Sequence, residues 1–290
     1  MTALRAISSG LAATRRAQWM VFLFLGCHLL LAVAVAAPMH SAIATHLGRS
    51  AVGEELARGF SAAWLTEFQI ANEAFLKGFS ISIVYAGILF LALNTVLSAG
   101  AYEVFAGGEG ARLHAFGRGV GKYCTRFVRL ALIASALYFA VFWLWNDVAV
   151  RRLDHWFADS TREAWYFRLN LARVSLLFLS ATLVNLVVEY TRADIVVRQR
   201  ESTLAALGQA AGFVLRHLPA VLFIELGLGS LTALTIAAYA AFARYFPQDG
   251  PAAILLWFLV AQALFWLRWL FRLSSWGAVL EYYRSRSRPA

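Results

Sequence analysis

Glu225 is the residue of this 290-residue chain whose position most needs an explanation, because it lies inside an apolar stretch running from Leu218 to Phe242. It stands about seven residues in from the basic end of that stretch, or roughly 10 Å at 1.5 Å per residue. An ionised side chain near the bilayer centre costs about 2.5–3.5 kcal/mol on insertion scales, so it needs a partner or a task. The last apolar stretch, Pro251 to Trp269, ends on the same side and carries Arg268 to a similar depth. This predicts a Glu225–Arg268 pair, with Arg272 snorkelling to the surface. The simpler reading of the pair is an interhelical clamp, and the functional reading is a substrate or proton site. Glu189 and Arg192, at the basic end of the fourth apolar stretch, lead into Asp194, Arg198, Arg200 and Glu201 and form a second charged group. Glu225, Arg268, Arg272, Glu189 and Arg192 are therefore the candidate binding residues, and no catalytic residue is assigned.

Other chemistry finds little footing. Cys27 lies within the first apolar stretch and Cys124 just before the third, without the spacing of a disulfide framework. The six histidines form no zinc-like cluster with Cys or carboxylates; His40 and His46 read as solvated loop residues. No metal or cofactor is indicated. Gly107, Gly108 and Gly110 make a turn, and a P-loop ending at Gly121-Lys122 would need a glycine and a Ser or Thr where Phe116 and Tyr123 stand. There is no nucleophile elbow and no close pair of carboxylates within one span. An intramembrane lipid enzyme would need clustered polar groups, and only scattered Asn94, Ser180, Asn185, Glu225 and Gln262 are on offer.

The elements that must position these residues are apolar runs. The chain is 61% hydrophobic with a mean hydropathy of +0.64, and a hydrocarbon core needs about 20 mostly apolar residues per helical crossing. Six such runs fall near Trp19–Ala37, Gly78–Leu97, Phe127–Trp145, Leu171–Tyr190, Leu218–Phe242 and Pro251–Trp269. The expected fold is all-α, a polytopic membrane protein forming one helical domain over residues 1–290. Arg15 and Arg16 followed by an apolar run imitate a signal peptide, but the run is longer than a signal h-region of roughly 7–15 residues and more spans follow.

Most of the 26 basic residues sit at one set of segment ends, including Arg15, Arg16, Arg118, Lys122, Arg198, Arg200, Arg284 and Arg286. On the opposite side acids and bases balance. Flanking Lys and Arg are retained in the cytoplasm, so both termini are expected there. The net charge of +10 is then explained by an anionic leaflet, where each basic residue contributes about 1 kcal/mol. A nucleic-acid partner is not needed to account for it.

Two cytoplasmic approaches to spans share a pattern. Phe116, Gly117, Val120, Gly121, Tyr123 and Phe127 correspond in spacing to Leu207, Gly208, Ala211, Gly212, Val214 and Leu218. Each reads as an amphipathic elbow helix before spans three and five, with a Gly-x-x-x-Gly pair that permits another backbone to approach. On the external side, Ser61 can cap a helix whose Trp64, Phe68, Ala71 and Phe75 form one apolar stripe. Asn146 to Asn170 reads as a pair of interfacial helices with mutually paired charges.

A resemblance enters at the end of the fourth span. Val188-Glu189-Tyr190-Thr191-Arg192, then Val196-Val197, Arg200, Ser202 and Ala205-Ala206-Leu207, resembles an uncharacterised family of bacterial six-helix inner-membrane proteins. Leu267-Arg268 through Phe271-Arg272-Leu273 is similar to that family's last span. The family usually carries Asp where Glu189 stands and an acid where Arg198 stands. A more distant likeness is to the membrane domain fused to some glycerophosphodiester phosphodiesterases, without their catalytic barrel. The resemblance implies membership and is silent on activity.

Three function classes follow. A transport- or export-associated membrane subunit is suggested by the repeat, the elbows and Glu225, and it would take a protein partner at the cytoplasmic loops, which are too short for an ATPase. A scaffold or assembly factor gripping anionic lipid and a larger complex is the alternative, and the lipid enzyme comes third. Heavy use of Arg over Lys, with only Lys77 and Lys122, points to a GC-rich bacterial genome and so to an inner membrane.

Overall fold

The computed structural model describes residues 1–48, 61–107, 113–157, 163–245 and 250–287, and among these every regular element is helical. In chain order they are α1 (Ala3–Arg16), α2 (Gln18–Leu47), α3 (Ala62–Ala71), α4 (Glu73–Ala106), α5 (Leu113–Trp143), α6 (Ala149–Phe157), α7 (Glu163–Arg198), α8 (Thr203–Arg216), α9 (Leu218–Tyr245) and α10 (Pro251–Ser287). Among the described residues six helices are long and apolar enough to cross a membrane, yet only 6% to 17% of their apolar windows is buried by protein. Apolar surface on that scale is stable only in lipid, which makes the chain an integral, multi-pass membrane protein.

The helices form two compact units, Met1–Val21 with Thr95–Ala290, and Phe22–Asn94. In the first, the outbound helices run well past their apolar windows, and their tails are the core: Thr95, Leu97 to Tyr102 and Val104 of α4, Leu186 and Val188 to Val196 of α7, and Leu273 to Leu280 with Tyr282 and Tyr283 of α10. Each tail is covered by an inbound segment. The start of α5 packs on the α4 tail, since a Cβ added at Gly119 would lie 2.9 Å from the Ala99 carbonyl oxygen. Helix α8 lies on the α7 tail, where Tyr190 stacks on Phe213 at 5.4 Å. Helix α1 lies on the α10 tail, where a Cβ on Gly277 would stand 3.2 Å from the Gly10 Cα. Each inbound segment therefore covers the outbound tail that precedes it in cyclic order, and α1 on α10 joins the two ends of the chain.

Helices α1 and α8 are built alike. The Thr2 hydroxyl accepts from the Arg5 N–H at 3.4 Å as the Ser202 hydroxyl accepts from Ala205 at 3.3 Å, so each is N-capped by a side chain. Their buried faces match, Ala6, Gly10 and Thr14 against Ala206, Ala210 and Val214. Pro219 accounts for the break after α8, because its ring excludes the Leu215 carbonyl and it has no N–H to donate. No proline explains the equivalent break at Ala17. Before the third span the expected elbow is the first part of α5 itself, with no interruption from Leu113 to Trp143.

The structure corrects the expected register of the repeat. Phe116, Gly119, Tyr123 and Phe127 are buried in α5, and Thr203, Ala206, Ala210 and Val214 in α8. Phe116 thus corresponds to Thr203, one helical turn from the predicted Leu207. The Gly-x-x-x-Gly expectation also fails, since a Cβ on Gly117, Gly121, Gly208 or Gly212 would meet nothing within 4 Å.

The segment Asn146–Asn170 continues the spans. Helix α5 runs through a wide turn at Leu144–Val148 into α6. Arg173 donates to the Trp145 carbonyl and to Asn146 Oδ1, both at 2.9 Å, which gives the loosened backbone a donor. Residues 158–162 of that segment lie outside the described residues.

The second unit holds α2 from Phe22, α3, and α4 as far as Asn94. Ser61 caps α3 as expected, its hydroxyl accepting from Trp64 at 3.3 Å. The helix ends at Ala71, so the predicted stripe is divided. Trp64 and Phe68 stack at 5.3 Å and meet the His46 ring edge-on, whereas Phe75 belongs to α4 and stacks on Phe79. Residues 49–60 lie outside the described residues.

Candidate functional site

Three helices of the first unit bring acids and an arginine together. Glu189 and Asn185 come from α7, Glu225 from α9, and Arg272 and Ser275 from α10. Glu189 faces inward because Leu186, Tyr190 and Ala193 share its buried tail, and its own side chain is 1% exposed. Arg272 reaches it at 2.5 Å and stands 3.5 Å from Glu225 Oε1. Asn185 donates to Glu225 Oε1 at 3.3 Å and the Ser275 hydroxyl donates to Oε2 at 3.1 Å. One guanidinium therefore serves two carboxylates, closely for Glu189 and loosely for Glu225.

The predicted partner is corrected here. Arg268 is exposed, and Arg272, one turn further along α10, takes its place beside Glu225. Arg272 does not simply snorkel; its guanidinium also lies 5.6 Å from the Trp276 ring. Arg192 is buried on the same tail of α7, over Phe127 at 5.7 Å. Tyr102, fully buried, spans between them: its hydroxyl lies 3.4 Å from the Glu189 carbonyl and its ring stacks on Trp276 at 5.8 Å. Of the five predicted residues, Glu225, Arg272 and Glu189 meet directly, Arg192 joins the same core, and Arg268 stands apart.

The sequence placed Asp194, Arg198 and Arg200 in one charged group but did not show their partners Tyr283, Gln199, Tyr123 and Glu103. Asp194 is wholly buried and is met by Arg198 at 3.2 Å, by Arg200 at 3.1 Å and by the Tyr283 hydroxyl, which donates at 2.6 Å. Gln199 ends α7 in the left-handed conformation (φ 54°), which suits the residue just past a helix. Its amide donates to the Tyr123 hydroxyl at 2.8 Å, and that hydroxyl donates to Glu103 at 3.1 Å. Arg126 donates to the Arg200 carbonyl at 3.1 Å, and Arg284 to the last carbonyl of α4 at Ala106, at 3.0 Å. The aromatic repeat Trp276, Tyr283 at i, i+7 in a cationic tail was the available clue that this segment folds back into a core.

This arrangement holds charge and orders helix ends. Of the polar residues named for an intramembrane enzyme, Asn185 joins Glu225, whereas Ser180 is engaged by the Trp145 indole at 3.1 Å. Among the described residues no group of three or more His, Cys, Asp or Glu is placed to hold a metal ion. No family model matches this chain, and no curated protein and no solved structure matches it either.

Proposed function

We propose that this protein is a transport- or export-associated subunit of a bacterial inner membrane, with Glu225 as the group whose charge is exchanged in its working cycle. The observation that carries the reading is the inequality within the cluster, Arg272 at 2.5 Å from Glu189 but 3.5 Å from Glu225. One carboxylate is held and the other is releasable, so a proton or a cationic cargo can take over Glu225 without unpairing Glu189. Repeated inbound and outbound helices around such a charge are a plan found in transporters. In this reading both termini and the basic helix ends face the cytoplasm and an anionic leaflet. A protein partner docks on the Arg192 to His217 segment, and the likeness to six-helix inner-membrane proteins is part of the same proposal.

Reconstituted vesicles with an entrapped pH dye test it. The reading expects Glu225→Gln to lower driven proton flux by about tenfold or more while the unfolding midpoint stays within a few degrees. Unchanged flux with a lower midpoint would reduce Glu225 to a clamp. That outcome would favour the scaffold reading, which the close packing of Gly10 against Gly277 also suits, because it ties the chain ends into one rigid unit.

A further inference from the structure

The second unit contains a groove that the charge cluster does not use. Its apolar part, about 600 Å³, lies between α2 and α4 and is lined by residues such as Leu31, Ala34, Gly78, Ser82 and Leu89. Pro38 and Phe75 also line an adjoining hollow of about 750 Å³, where the lining turns polar with Ser41, Thr45, His46, Glu67 and Asn72. From Leu31 to Thr45 the groove follows α2 for roughly 20 Å at 1.5 Å per residue. Polarity changes along it once, as it does along an amphiphile.

Pro38 marks the change. Lacking an N–H, it leaves the Ala34 carbonyl without its helical donor at the junction of the two parts. The apolar part belongs to two membrane-spanning helices, so the molecule available to it is lipid. Among the described residues that line the polar mouth, Glu67 is the carboxylate and none is Lys or Arg; Lys77, on the neighbouring stretch of α4, is engaged by Glu73 at 2.7 Å. A mouth with this charge fits a cationic group and repels an anionic one.

We infer that this groove binds one phospholipid with an ammonium headgroup, its acyl chain between α2 and α4 and its ammonium at Glu67. The test uses the full chain in phosphatidylglycerol vesicles, with trace phosphatidylethanolamine or trace phosphatidylglycerol carrying a photoactivatable acyl chain, and peptide mapping of the label. The phosphatidylethanolamine probe should label Ala34, Gly78 and Ser82 at least about fivefold more than the phosphatidylglycerol probe. Gly78 lines the groove and a Cβ there meets nothing within 4 Å, so Gly78→Trp should place its side chain in the groove and remove that labelling. Glu67→Gln, at an exposed position, should erase the preference between probes while labelling persists. Equal labelling by both probes in the native chain would overturn the headgroup assignment. Label spread evenly onto the exposed Leu226 and Leu234 of α9, and indifferent to Gly78→Trp, would show annular lipid only and overturn the site.

Discussion

Glu189 has no water to fall back on, and Arg272 is the cation that compensates it, so the pair is best judged by what removing the arginine leaves behind. Breaking a buried pair from one side typically costs about 3–5 kcal/mol, because the remaining charge stays unpaired. Arg272→Met should therefore lower the thermal unfolding midpoint in detergent far more than Glu225→Gln, whose carboxylate is 20% exposed and loosely held. Equal shifts would mean that the two acids are not held unequally. Glu225 and Arg272 were legible in the sequence, because charges inside or bordering apolar runs stand out. The choice of Arg272 over Arg268 was not legible. It depends on the axial offset of α9 and α10 by one turn of about 5.4 Å, which spacing within either helix does not encode.

Helices of this protein approach one another through glycines that no motif singled out. A Cβ at Gly10 would fall inside contact distance of the Ser274 carbonyl and 2.7 Å from the Ala278 nitrogen, both backbone atoms that cannot swing aside. Gly10→Ala is thus expected to cost about 1–3 kcal/mol through overpacking. Gly117→Ala and Gly212→Ala, with open space around them, should be neutral or stabilising by about 0.5–1 kcal/mol, since alanine favours a helix. Midpoints measured side by side for the three variants check this, and a loss at Gly212 equal to that at Gly10 would restore the discarded motif. The six spans, the Ser61 cap and the amphipathic character of α8 could be read from residue types and periodicity. The pairing of inbound and outbound segments could not, because it joins residues as far apart as Gly10 and Gly277. The small-residue stripe Ala6, Gly10, Thr14 was its visible trace.

At the scale of the molecule, one set of helix tails gathers the buried charge and the aromatic core, while the spans leave their apolar surface to lipid. Many of the basic residues, among them Arg15, Arg16, Arg118, Lys122, Arg198, Arg200 and Arg284, lie on those same tails, just past them, or on the inbound segments that cover them. Composition and hydropathy sufficed for this level, because membrane insertion depends on summed transfer energy and not on detailed packing. Packing α1 on the tail of α10 adds a condition that hydropathy alone does not impose: the chain ends must lie on one face of the membrane, together with the turn after α7. Single cysteines at exposed Ser8, Glu201 and Ser285, placed in a chain whose Cys27 and Cys124 are replaced, can be probed in sealed vesicles with a membrane-impermeant thiol reagent. The account predicts that all three are labelled from the same face; Ser8→Cys labelled from one face and Ser285→Cys or Glu201→Cys from the other would contradict it.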